Sequence, residues 1–198
     1  MKRAILLLVV IVLIGTLVLP VKNIEASFRN QISPETQKAQ ELLDKMSPEE
    51  RVGQLFLVTF KGSDTGSNSK ISQLIHDQHI GGVVFRADND NFSTIDNLPE
   101  VIQSSINNLQ IENWKSTIAG IQTDSGSVQP GGVYVPLFIG ISQEGDFAPY
   151  DQIINGLTPL PSAMAIGATW KPANAEQVGK VLGSELNALG FNMVFGPS

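Results

Sequence analysis

The sequence predicts an α/β fold built on a parallel sheet. Three features carry that expectation. Four short apolar runs rich in strand formers punctuate the chain. Segments with apolar residues at helical spacing separate them. Each run is nearly continuous rather than alternating, the pattern of strands buried on both faces of a parallel sheet.

The N-terminus precedes the fold. Lys2 and Arg3 lead an apolar stretch from Ala4 to Leu19, broken by Pro20, and Ile24-Glu25-Ala26 forms a small-residue cleavage site before Ser27. This is the pattern of a secretory signal peptide. An uncleaved membrane anchor over residues 4–19 is the alternative, since the stretch is close to the ~17 residues a spanning helix needs. Residues 1–26 are therefore expected as leader or anchor, residues 27–198 as the folded domain, and the site of action as secreted, periplasmic or cell-envelope. With no cysteine in the chain, neither a lipid-modified cysteine nor a disulfide framework is available, and the core alone must hold the domain.

The elements follow in order. Ser33-Pro34-Glu35 opens a helix in which Leu42, Leu43 and Met46 share a side. Ser47-Pro48-Glu49-Glu50 is a capping box with proline in the first turn. It leads into the first strand, QLFLVTF (54–60). Ile71, Leu74 and Ile75 mark the next helix, and GGVVF (81–85) the second strand. Residues 96–114 form a long helix with Val101, Ile102, Ile106, Leu109 and Ile111 as its apolar points, and residues 115–134 read as a loop insertion. VPLFIGIS holds the third strand (136–141). KPANAEQVGKVLGSELNALG is a helix with Pro172 near its start, Val178, Val181, Leu182, Leu186 and Leu189 along it, and Gly190 at its stop. FNMVF (191–195) is the fourth strand. Sequential crossovers give the strand order 1-2-3-4, with helices on the outer face.

Removing Lys2, Arg3, Lys22 and Glu25 from the 13 basic and 19 acidic residues leaves 10 and 18, a net charge of −8. With no Lys/Arg cluster, this acidic surface argues against nucleic acid or anionic membrane as a partner. Other chemistries lack their signatures. GGVVF has its glycines entering a strand, not between strand and helix, so it is no dinucleotide fingerprint. No G-x-S-x-G elbow occurs. His76 and His79 lie three apart without a third ligand, so no metal is expected, and no cofactor.

In parallel α/β folds, ligands bind where strands end. Ser142, Gln143, Glu144 and Asp146 follow strand three, Arg86, Asp88 and Asp90 follow strand two, and Ser63 and Asp64 follow strand one. Carboxylates, amides and hydroxyls converging on one rim suit a carbohydrate. For Arg86 the plain alternative is a salt bridge to Asp88 or Asp90. Trp114 and Trp170 are available for stacking on a sugar, with packing as their default role.

An ordered set of segments resembles the N-terminal domain of glycoside hydrolase family 3. LLDKMSPEERVGQLFLVTF is similar to the family's opening helix and first strand, and HIGGVVF to its second strand. VPLFIGISQEGD resembles its strand three, written I-D-Q-E-G-G. LPSAMAIGATW resembles F-P-x-A-M-A-L-G-A-T, and VGKVLGSELNALGFNMVFGPS the helix and strand that continue into L-D-V. The resemblance covers roughly residues 40–198. It implies the first half of a (β/α)8 TIM-type barrel, truncated after strand four, and a retaining glycosidase acting on terminal β-linked sugars such as N-acetylglucosaminides. It also implies that the nucleophile and acid/base lie downstream of Ser198, so that this chain alone is inactive. Substrate binding is expected from Ser142, Gln143, Glu144, Asp146 and Arg86. Two departures bear on that site. The family's strand-three aspartate is Ser142 here, and its second glycine is Asp146, with Phe147 where an arginine often follows. A non-catalytic carbohydrate-binding relative is the alternative, and an unrelated two-lobed binding protein a more distant one.

Overall fold

The computed structural model describes residues 33–92, 97–118, 121–122, 128–129, 132–145 and 151–196. The chain divides into two units, Met1–Gln40 and Glu41–Ser198. The expected leader, residues 1–26, lies outside the described residues. Among the described residues no helix is long and apolar enough to cross a membrane.

Helix α1, Pro34–Lys45, begins as the sequence indicates: the Thr36 N–H donates to Ser33 Oγ over 3.2 Å. Helix α2, Pro48–Gly53, carries the full capping box. The Glu50 N–H donates to Ser47 Oγ, and the Ser47 N–H donates to Glu50 Oε2. The other oxygen of this buried carboxylate accepts from the Val133 N–H at 2.8 Å, tying α2 to the segment ahead of the third long strand. The helical turn runs on through Phe56, whose N–H donates to the Gly53 carbonyl. Strand β1 is therefore confined to Leu57–Thr59, shorter than its apolar run suggests.

Helix α3 spans Lys70–Gln78 and strand β2 Gly82–Val84. Helix α4, Leu98–Ile118, runs four residues beyond its expected end. Within the extension the Ser116 and Thr117 hydroxyls donate to the Asn113 and Trp114 carbonyls, so both side chains are satisfied inside the helix. In the expected loop, Ile121–Gln122 (β3) and Val128–Gln129 (β4) pair antiparallel. Strand β5 spans Phe138–Ser142. The short helix α5, Ala163–Ala168, capped by Ser162, gave no sequence signal because six residues show no period. Helix α6, Pro172–Leu189, ends at Gly190, where the N–H groups of Gly190 and Phe191 donate to the Asn187 and Leu186 carbonyls. Strand β6 is Met193–Phe195.

The main sheet has the order β1-β2-β5-β6, parallel throughout, as sequential crossovers require. Its four strands are half the number that closes a (β/α)8 barrel. Val83, Ile139 and Ile141 are fully buried and share a core with Ile71 and Ile75 of α3, Ile102, Ile106 and Leu109 of α4, and Leu186 and Leu189 of α6. Phe85 anchors it, edge-on to Phe60 at 5.3 Å and to Phe191 at 5.7 Å between ring centres. Leu74, Ile111 and Val181, expected on apolar helix faces, fall at the edges of those faces and stay more than a third exposed.

Burial on both sheet faces does not hold. Among the described residues, helices cover one face only. On the other, Leu57, Phe138 and Phe195 remain 42%, 49% and 42% exposed. A four-stranded open sheet does not curl far enough to cover its own concave side. Gly140 shapes this face, since a Cβ there would stand 2.7 Å from the Phe195 ring; its absence lets the ring lie across the sheet.

Candidate functional site

The C-terminal ends of β2, β5 and β6 surround a cavity of about 370 Å³, lined by Val84, Phe85, Arg86, Ser142, Gln152 and Phe195. Register explains why these residues meet. Val84 pairs with Gly140, and Ser142 pairs with Phe195. Side chains two apart on a strand share a face, so Ser142 and the Phe195 ring stand on the same side of the sheet.

Side-chain amides and one carboxylate fasten the loops of this rim. Asn91 is almost fully buried; its Oδ1 accepts from the Arg86 N–H at 2.8 Å, and its Nδ2 donates to the Phe60 and Gly62 carbonyls. The exits of β1 and β2 are thereby joined. Gln152 Oε1 accepts from the Ala87 N–H at 2.8 Å, joining the exits of β2 and β5. Gln143, 6% exposed, turns into its own loop. Its Oε1 accepts from the Gln152 and Ile153 N–H groups, and its Nε2 donates to the Ile153 carbonyl.

The expected site residues therefore separate. Arg86 and Ser142 line one cavity. Glu144 adjoins it over the exit of β6: a Cβ on Gly196 would stand 2.6 Å from Glu144 Cγ and 2.7 Å from Oε1. Gln143 supports the loop from within. Asp146 lies outside the described residues. Asp88 takes the Arg86 guanidinium in a two-bond pair of 2.8 and 2.7 Å, the plain alternative the sequence offered. Those bonds hold the Asp88 carboxyl below its ordinary range. Ser63 and Asp64 line a separate polar groove with residues of α4. Trp114 and Trp170 are 50% and 92% exposed, so neither takes its default packing role. His76 faces Glu112 at 3.2 Å, away from the rim cavity.

Phe195 and Gln152 are the lining residues that sequence reasoning missed. Phe195 ends a strand whose register with Ser142 is visible only once the sheet is built. Gln152 stands ten residues beyond Ser142, in a segment without periodicity. Together the cavity offers a hydroxyl, an amide, a guanidinium already paired with a carboxylate, and a half-exposed aromatic ring. These are neutral or neutralised groups beside an apolar platform, suited to a polyhydroxylated ring rather than to a free anion.

No curated protein matches the chain by sequence. Among solved structures, a glycoside hydrolase family 3 β-N-acetylglucosaminidase from Paenibacillus sp. str. FPU-7 is 28% identical, over 77% of this chain and 24% of its own, with a TM-score of 0.60. A fungal multi-domain β-N-acetylglucosaminidase of the same family is 24% identical over 76% of this chain and 15% of its own, also at 0.60. The β-N-acetylhexosaminidase from Beutenbergia cavernae DSM 12333 is 21% identical over 77% and 38%, at 0.54. The latter two speak for the fold alone. The chain spans 15% to 38% of these proteins' lengths. Residues 47–198 match the glycosyl hydrolase family 3 N-terminal domain, and the chain belongs to that family.

Proposed function

We propose that this domain supplies part of the substrate rim of an exported glycosidase that removes terminal β-linked N-acetylglucosamine. The observation that carries the reading is the cavity in which Arg86, Ser142, Gln152 and Phe195 meet at the strand exits of a family 3 domain. The 28% identical relative, which is a β-N-acetylglucosaminidase, supports the choice of sugar. Ser142 and Glu144 hydrogen-bond sugar hydroxyls, and Phe195 lies against the ring. The nucleophile and the acid/base are supplied from outside this chain. Hydrolysis of a chromogenic β-N-acetylglucosaminide tests this on the 198-residue chain and on the full-length gene product. Turnover by the full-length product alone is expected. Turnover by the 198-residue chain contradicts the placement of the catalytic groups, and turnover by neither contradicts the enzyme.

Ser142 favours a second reading, a non-catalytic carbohydrate-binding relative. A neutral hydroxyl stands where the family's strand-three motif carries a carboxylate, and its hydrogen bonds are weaker. Binding of N-acetylglucosamine by a full-length product without turnover selects this reading.

Export rests on the leader pattern of residues 1–26. N-terminal sequencing of the exported protein is expected to begin near Ser27. Met1 retained on a membrane-bound product contradicts cleavage and selects the anchor.

A further inference from the structure

The N–H groups of Glu144 and Gly145 converge on a single oxygen, Asp151 Oδ1, at 2.6 and 2.9 Å. Asp151 is 8% exposed. The reciprocal bonds come from the other side, where Gln143 Oε1 accepts from the Gln152 and Ile153 N–H groups. Segment 142–145 thus holds 152–153 through a side chain, and Asp151 holds 144–145 in return. The Gln152 N–H also donates to the Ser142 carbonyl at 3.3 Å.

Two successive backbone N–H groups aimed at one point form a concave anion-binding nest. Left open at a strand exit, such a nest faces solvent and the turn that bears it is free to move. Here a buried carboxylate from the same chain fills it, and bonds from N–H groups to a charged acceptor are the stronger class. The filled nest fixes the backbone from which the Glu144 side chain leaves. That side chain passes over Gly196, where a Cβ would collide with Cγ, Cδ and Oε1. The path of Glu144 is thus bounded on the backbone side by Asp151 and on the side-chain side by Gly196.

We propose that Asp151 is a positioning residue, which acts on a sugar only through the turn that presents Glu144. The proposal rests on the glycosidase reading for its substrate, while the clamp itself rests on geometry alone. Its bonds to Glu144 and Gly145 lie at the exit of β5, apart from the core around Ile139 and Ile141, so losing them is expected to loosen the rim rather than the fold. A carboxamide retains an acceptor oxygen at the same place, so Asp151→Asn preserves the clamp and Asp151→Ala breaks it.

The experiment compares wild type, Asp151→Ala and Asp151→Asn in the full-length gene product. Amide-resolved hydrogen exchange is read at Glu144 and Gly145, and KM and kcat with a chromogenic β-N-acetylglucosaminide. Exchange at these two amides is expected to be slow in wild type and Asp151→Asn and fast in Asp151→Ala. KM is expected to rise roughly tenfold in Asp151→Ala, the equivalent of one charged hydrogen bond, with kcat changing less and Asp151→Asn staying close to wild type. Equal exchange in all three proteins overturns the clamp. Fast exchange without a change in KM, or an Asp151→Asn as impaired as Asp151→Ala, overturns the positioning role. Absence of turnover in wild type counts against the glycosidase reading alone, and the affinity for N-acetylglucosamine then takes the place of KM.

Discussion

At position 142 a hydroxyl stands where the family motif carries a carboxylate. A neutral hydrogen bond contributes about 0.5–1.5 kcal/mol net and a charged one about 1.5–3 kcal/mol, so Ser142→Asp is expected to tighten N-acetylglucosamine binding by about 1 kcal/mol. Calorimetric titration checks it; weaker binding by the variant contradicts a sugar hydroxyl at this position. Glu144 follows two residues on. Glu144→Gln is expected to leave the melting temperature unchanged and weaken sugar binding by about 1.5–3 kcal/mol. A lower melting temperature with unchanged kinetics makes the group structural. The polar exit of β5 was legible from the sequence, where an apolar run ends in Ser142-Gln143-Glu144. The inward turn of Gln143 was not, since its partners at 152 and 153 return through a loop without pattern. Asp151 escaped notice for the same reason.

At the level of elements, the exits of β1, β2 and β5 are fixed by particular side chains. Asn91 satisfies three backbone groups from two loops, and Asn91→Ala strands all three. At about 1 kcal/mol for each buried group left unpaired, a loss of roughly 3 kcal/mol is expected in denaturant unfolding. A loss below about 1 kcal/mol shows that water or rearrangement replaces the amide. Helices α3 and α4 are joined by a buried ionic group. Glu112 accepts from Ser67 Oγ and Lys115 Nζ, each at 2.8 Å, and faces His76 Nε2 at 3.2 Å. Burial acts to raise its pKa, but the bonds from Lys115 and Ser67, the Lys115 charge and His76 outweigh it and hold the carboxyl below its ordinary range. A folded-state pKa below the unfolded value of about 4.3 stabilises the protein above that pH, and the contribution fades as pH falls through the folded value. Thermal melts are expected to show wild type losing its advantage over Glu112→Gln as pH falls below about 4.3. Parallel curves contradict the assignment. Element type was readable where the period was long, as in α4 and α6. Boundaries were not, because local backbone contacts decide them: Phe56 belongs to a helical turn despite its β-forming side chain, and Ser116 and Thr117, residue types that sequence rules assign to loops, lie inside a helix.

On the scale of the whole sheet, parallel order and helical cover on one side follow from the alternation of apolar runs and amphipathic segments. The exposed second face does not, because apolar strands read alike whether or not a further layer covers them. Leu57, Phe138 and Phe195 make that face apolar. The 198-residue chain is therefore expected to bind a hydrophobic dye such as ANS, and Phe138→Lys to reduce the signal without shifting the melt. Dye binding unchanged by that substitution places the exposed apolar surface elsewhere. The Phe195 end of the same face borders the cavity at the strand exits, the proposed sugar site. The measurement that bears most directly on this is a crystal structure of the full-length gene product with N-acetylglucosamine bound. The account requires the sugar at the exits of β2, β5 and β6, with hydroxyls within hydrogen-bonding distance of Ser142 and Glu144 and the ring against Phe195. A sugar held instead in the groove beside Ser63 and Asp64, or on the outer helices, with the β5 exit unoccupied, contradicts it.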